Sequence, residues 1–193
     1  MSSVVPPVTS VFDEMCQKYF LQSPLIVSAG VKTGMRIRYD SPREVGADRI
    51  VNGVAAFRKY GGPACVIDFG TATTFDAISE KGDYLGGAIA PSPRTALEAL
   101  FIHTAKLPRV DLVRPANVIG TNTAESMQSG VLLGYVGLVE GMVNRFLAEL
   151  GPEMRVIATG GLARMLAAET DVFHVVDPWL TLDGLRIIWE LNQ

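Results

Sequence analysis

Apolar residues recur along this chain at two spacings, and the switches between them outline the fold. Residues 1–7 read as the end of a strand closed by Pro6 and Pro7. Val11, Phe12, Met15 and Tyr19 then share one face of a helix predicted over residues 8–20. Residues 25–28 read as a short strand, and residues 30–42 as a loop carrying Lys32, Arg36, Arg38 and Tyr39. Ile50, Val51, Val54, Ala55 and Phe57 give a helix over 48–60, stopped by Gly61-Gly62-Pro63. Residues 64–69 form a buried strand. The chain continues after a Gly-Thr turn through 75–79, and Lys81-Gly82-Asp83 turns it into 84–90, an antiparallel meander. A helix follows over 93–106, with Ala96, Leu97, Leu100 and Phe101 inward. Residues 122–150 read as one long helix or a broken pair. Gly130, Gly134, Gly137 and Gly141 fall on one of its faces, where another helix can approach closely. A strand over 155–159, a helix to 168, a strand over 172–176 and a helix over 181–191 close the chain, the last with Leu182, Leu185, Ile188 and Trp189 inward. The order predicts a mixed α/β protein.

Composition narrows the functional classes. The 193 residues suffice for one large domain or two small ones, and 48% are hydrophobic, as in packed globular proteins. A net charge of −3 with dispersed Lys and Arg supplies no electrostatic footprint for nucleic acid or an anionic membrane. The greasiest run, residues 131–139, is shorter than the ~20 apolar residues a bilayer span requires, and Glu125, Gln128 and Glu140 flank it, so it reads as a buried helix. Cys16 and Cys65 make no metal pattern. Reduced thiols and the lack of a basic-then-apolar leader set the expectation of a cytoplasmic protein.

The candidate chemistry centres on residues 66–76, Val-Ile-Asp-Phe-Gly-Thr-Ala-Thr-Thr-Phe-Asp. A strand ending in Asp-x-Gly-Thr brings a carboxylate, backbone N–H groups and hydroxyls to one point, a mixture that suits a nucleotide phosphate and its cation. Asp68 follows apolar residues, where an unpaired carboxylate is costly and a bound cation is a natural partner. Asp48 opens the helix before this strand. It is either an N-cap or a general base for a substrate hydroxyl. Arg49 either pairs an anionic substrate or lies solvated. Thr159-Gly160-Gly161 ends a strand and opens a helix, leaving N–H groups free for a ligand. Gly120-Thr121-Asn122-Thr123 either caps the long helix or points a hydroxyl into a cleft. His103 and His174 lack a matching nucleophile. Asp68-Phe69-Gly70 does not mark a protein kinase, because the Gly-rich loop and His-Arg-Asp loop are missing.

These segments, together with residues 3–7, 38–49, 85–91, 104–108, 119–123, 129–135 and 158–162, resemble the type III pantothenate kinases over nearly the whole chain. The pair Gly46-Ala47-Asp48-Arg49 and Asp68-Phe-Gly-Thr-Ala-Thr-Thr74 is specific to that family. The resemblance implies an actin-like, Hsp70-like ATPase (ribonuclease H-like) α/β fold of two related halves. Here they are residues 1–60, the remainder of the first half, and 61–193, the second half with its central meander. The resemblance also implies a homodimer and ATP-dependent phosphorylation of pantothenate, the first step toward coenzyme A. Asp48 matches the general base; Gly46, Ala47, Arg49, Tyr39 and Thr123 match substrate contacts. Asp68 matches the ligand of a monovalent cation, K+ or NH4+. Thr71, Thr159, Gly160 and Gly161 match ATP contacts, and Mg2+ accompanies ATP.

Two departures from the family pattern set further expectations. The family's opening Asp-x-Gly-Asn-Thr phosphate loop is not in this sequence, so the first half is expected to be incomplete, ATP binding weak, and turnover confined to an upstream-extended version. Ser92 stands where the family carries glycine, so a reshaped loop is expected there. An alternative reading is a catalytically silent relative acting as a binding or regulatory protein; another kinase of the same superfold is a third.

Overall fold

A computed structural model describes the backbone of residues 1–2 and 6–193 and the side chains of residues 1–2 and 8–193. The strand expected over 1–7 lies mostly outside the described residues. Helix α1 (Pro6–Met15) passes into a π-helical turn over Cys16–Phe20. The apolar face expected there points outward: Val11, Phe12 and Tyr19 are all exposed. Residues 25–28 form no strand. The backbone N–H of Val27 donates to the Met1 carbonyl at 2.8 Å.

The core is one five-stranded sheet. β1 (Ala64–Phe69) is central, with β2 (Ala72–Ile78) antiparallel on one side, β3 (Tyr84–Pro91) beyond it, β4 (Arg155–Thr159) parallel on the other side and β5 (Val175–Val176) at the edge. The β1 residues are almost all buried because both sheet faces are covered, which is why they read as an apolar run rather than an alternation. On one face lie α2 (Ala47–Tyr60) and α6 (Leu180–Glu190), packed around Val51, Val54, Val66, Ile78 and Ile157. On the other lies α4 (Thr123–Leu150), packed around Ile67, Phe69, Phe75, Leu132 and Val139, with α3 (Pro93–His103) and α5 (Ala163–Ala167) beside it. Three strands in an antiparallel meander followed by two parallel to the central one, with helices on both faces, make the ribonuclease H-like unit of the actin-like ATPase fold.

Local differences from expectation have local causes. α6 buries Leu180, Gly184 and Ile188, so Leu182 and Trp189 point outward. The long helix is continuous and buries only one face. Gly130, Gly134 and Gly137 meet no neighbour within 4 Å, so among the described residues no helix packs on that stripe. By length and composition α4 could cross a membrane; here one face is seated on the sheet. Ser92 keeps an extended φ of −70° and caps α3, its hydroxyl accepting from the Thr95 N–H at 3.2 Å, so the loop needs no left-handed residue. α5 starts beyond Gly161 and ends at Ala167 with Ala168 as its C-cap, close to the helix expected to 168.

Candidate functional site

The period-two alternation of a strand decides which residues of the 66–76 segment meet. Asp68 and Asp76 project to the α2 side, whereas Ile67, Phe69 and Phe75 project to the α4 side. The first turns of α2 descend onto that acidic strip. Gly46 is the N-cap residue and Asp48 sits within the first turn, exposed, its Oδ1 accepting from the Arg49 N–H at 2.9 Å. A carboxylate at a helix N-terminus is favoured by the helix dipole, so helix stabilisation and a free outer oxygen coexist at Asp48. One turn on, Asn52 is buried. Its amide donates to Asp68 Oδ2 at 2.9 Å and its carbonyl accepts from Thr181 Oγ1 of α6 at 2.7 Å. Burial pushes the Asp68 carboxyl above the ordinary range. The Asn52 amide opposes the rise, and the charge of Asp48 adds to it. The two acids therefore belong to one electrostatic cluster.

Arg49 turns inward beside them. Its Nε donates to Asp76 Oδ1 at 2.7 Å, and Asp76, fully buried, also accepts from Tyr84 OH at 2.8 Å and from Thr74 Oγ1 at 2.9 Å. Burial pushes the Asp76 carboxyl upward against the pull of Arg49 and the hydroxyl donors. Tyr39 stands over this group, its ring 6.4 Å from that of Tyr84. A cavity of about 720 Å³ opens beside the start of α2, walled by Val27, Val31, Met35, Ile37, Gly46 and Ala47.

β1 and β4 end side by side, with Asp68 paired to Thr159. Thr71 lies exposed at the β1–β2 turn, where its carbonyl accepts from Thr95 Oγ1 at 3.0 Å. Gly160 has φ +91°, and a Cβ there would stand 2.5 Å from Asp68 Oδ1, so glycine is needed both for backbone conformation and for room beside the carboxylate. Turns at the carboxyl ends of adjacent parallel strands are where open α/β sheets bind ligands. Thr123 stands apart. It lies at the start of α4, on the other side of the sheet, in a second cavity of about 640 Å³ walled by Leu107, Gly120, Thr121, Asn122, Met127 and Val131. Asn122 caps that helix, accepting from the Glu125 N–H at 2.9 Å.

The profile of the family described as type III pantothenate kinase matches residues 1–145. A type III pantothenate kinase of Koribacter versatilis is 58% identical over 193 residues, covering 100% of this chain and 70% of that protein. One from Moorella thermoacetica is 58% identical over 192 residues, covering 100% of this chain and 76% of that protein. The chain belongs to the type III pantothenate kinase family. Among solved structures, a Baf family transcriptional activator from Campylobacter jejuni aligns with a TM-score of 0.62 at 22% identity, over 96% of this chain and 80% of that one, a likeness of fold.

Within this family member, the α2 side of the sheet brings together Tyr39, Gly46, Ala47, Asp48, Arg49 and Asp68, and Thr71, Thr159, Gly160 and Gly161 line the adjoining strand ends. Sequence reasoning gave no role to Asn52 or Tyr84 and none of its own to Asp76. The spacing of four between Asp48 and Asn52 placed both on one helix face. The spacing of two between Thr74 and Asp76 placed both on one strand face.

Proposed function

We propose that this protein transfers the terminal phosphoryl group of ATP to pantothenate, the first step of coenzyme A biosynthesis, as its relatives' names indicate. The observation that carries this reading is the exposed Asp48 carboxylate, one helical turn from the Asn52–Asp68 hydrogen bond and next to inward-turned Arg49. Phosphoryl transfer is dominated by positioning and charge stabilisation. Asp48 is suited to take the proton of the attacking hydroxyl, with Gly46, Ala47, Arg49 and Tyr39 holding pantothenate around it. Thr71, Thr159, Gly160 and Gly161 face the nucleotide, which brings Mg2+ with it.

Asp68 fits a monovalent cation, K+ or NH4+. Among the described residues its Oδ1 receives no hydrogen bond, and it borders the space kept open by Gly160. A cation held there neutralises the carboxylate and adds positive charge near the phosphates. Thr123 reaches this site most simply from a second copy of the chain. The open glycine stripe of α4 supports a homodimer in which one protomer's Thr123 serves its partner's pocket. The free thiols Cys16 and Cys65 fit a reducing, cytoplasmic setting. No specific observation favours a catalytically silent relative.

The test is a coupled ADP-release assay with ATP and pantothenate, with and without K+, on the protein expressed from its complete reading frame. Pantothenate-dependent, K+-stimulated release supports the proposal. Absence of both release and pantothenate binding overturns it.

A further inference from the structure

A line of three side chains runs from α6 through α2 to the carboxylate at the end of β1. Thr181 Oγ1 donates to the Asn52 carbonyl oxygen at 2.7 Å, and the Asn52 amide donates to Asp68 Oδ2 at 2.9 Å. Asn52 is 1% exposed. The two helices cross closely because Gly184, one turn after Thr181, lies against α2: a Cβ there would stand 2.2 Å from the Val51 carbonyl oxygen. Chemistry fixes the direction of both bonds. An ionised carboxylate only accepts, so Asn52 turns its NH2 to Asp68 and its carbonyl to α6. That carbonyl needs a donor, and the Thr181 hydroxyl supplies it. The second oxygen of Asp68 is treated differently. Among the described residues Oδ1 receives no hydrogen bond. It lies between two glycines: a Cβ would stand 2.5 Å from it at Gly160 and 3.8 Å from it at Gly70. One oxygen is held and the other is left free.

We propose that Thr181 and Asn52 are positioning residues for the cation ligand: Thr181 orients the Asn52 amide, which holds Oδ2 of Asp68 and presents Oδ1 alone to a monovalent cation. The inference rests on the reading of Asp68 as that ligand, and it makes a residue of α6, 129 positions from Asn52, a determinant of cation affinity. Neither residue touches the cation, so the effect of each passes through Asp68.

The test is thermal unfolding of the protein expressed from its complete reading frame, titrated with K+ while choline chloride keeps the ionic strength constant. A ligand that binds only the folded state raises the unfolding midpoint by an amount set by its concentration relative to its Kd. The K+ concentration giving half-maximal ADP release is measured alongside. Thr181→Val keeps the shape and removes the donor, and is expected to weaken K+ binding roughly three-fold; Asn52→Ala is expected to weaken it roughly ten-fold. Beside Asn52→Ala, Thr181→Val is expected to cost almost no further K+ affinity, because the amide it orients is gone. Thr181→Ser keeps the hydroxyl and is expected to restore wild-type K+ affinity. A purely structural role lowers the midpoint equally with and without K+, and that result overturns the proposal, as do losses that add fully in the double variant. If Asn52→Ala does not fold, the contrast between Thr181→Val and Thr181→Ser decides alone. A wild-type protein whose unfolding responds to neither K+ nor NH4+ overturns the cation reading of Asp68, and this inference with it. In a protein without pantothenate turnover, the unfolding titration still decides.

Discussion

The two faces of the sheet are made from the same strands and do different work. On the α4 face, Cys65, Ile67, Phe69 and Phe75 pack against Leu132, Val136 and Val139, an apolar contact with few polar atoms, the buried hydroxyls of Thr73 and Tyr135 among them. On the α2 face, the same alternation delivers Asp68, Thr74 and Asp76 to Arg49, Asn52 and Tyr84, so that burial is tolerated through a connected polar network. Packing is satisfied by many small contacts, each replaceable. The network depends on a few directed bonds, and the exposed Asp48 carboxylate stands at its edge. The proposed site on the α2 face predicts that substitutions of its polar network and of the α4-face core have separable effects.

The largest expected effect is at Asp48. Asp48→Asn keeps an oxygen that can accept from the Arg49 N–H, so the fold is expected to persist, while turnover falls by roughly 10²–10⁴-fold. Circular dichroism beside the ADP-release assay checks this, and joint loss of fold and activity would assign Asp48 to the helix alone. On the opposite face, Leu132→Ala is expected to destabilise by ~2–5 kcal/mol in denaturant unfolding and leave KM for pantothenate unchanged. A shift in KM there would break the separation between faces.

The next effect lies at the far end of α2. Lys59 Nζ donates to Asp177 and Asp183, and Tyr60 OH donates to Asp177 at 2.7 Å, tying α2 to the segment before α6. Burial alone would raise the Asp177 carboxyl, but Lys59, Tyr60 and the Trp179 N–H outweigh it and hold the pKa below the ordinary value. A depressed carboxylate contributes stability above its unfolded pKa of about 3.9 and loses it as pH falls through the folded value. The stability difference between wild type and Asp177→Asn should therefore shrink on acidification below about pH 4. A difference constant with pH contradicts the assignment. The smallest effect is at Ser92: Ser92→Ala is expected to cost ~1 kcal/mol as a lost cap and Ser92→Gly a few tenths, both by thermal unfolding.

The fold was legible in the sequence where patterns are local. The buried run 64–69, the turn at Lys81-Gly82-Asp83 and the apolar periodicity of α2 each found its element. The outward face of α4 was not legible, because a glycine spacing states that approach is feasible and not that a partner is present. Residues 25–28 carry strand-forming side chains, but among the described residues they meet no ladder beyond Met1. The inward face of α6 was set by Leu180 and Gly184 at its crossing of α2, a tertiary fact that periodicity misplaces. At the site, the acids were visible as strand-end carboxylates, whereas the partners that hold Asp76 and make Asn52 a bridge come from elements distant in sequence.

The most direct measurement is the crystal structure of this protein with pantothenate bound. The account predicts the ligand on the α2 side of the sheet, its primary hydroxyl within hydrogen-bond reach of Asp48. Pantothenate seated on the α4 side, with Asp48 untouched, would contradict it.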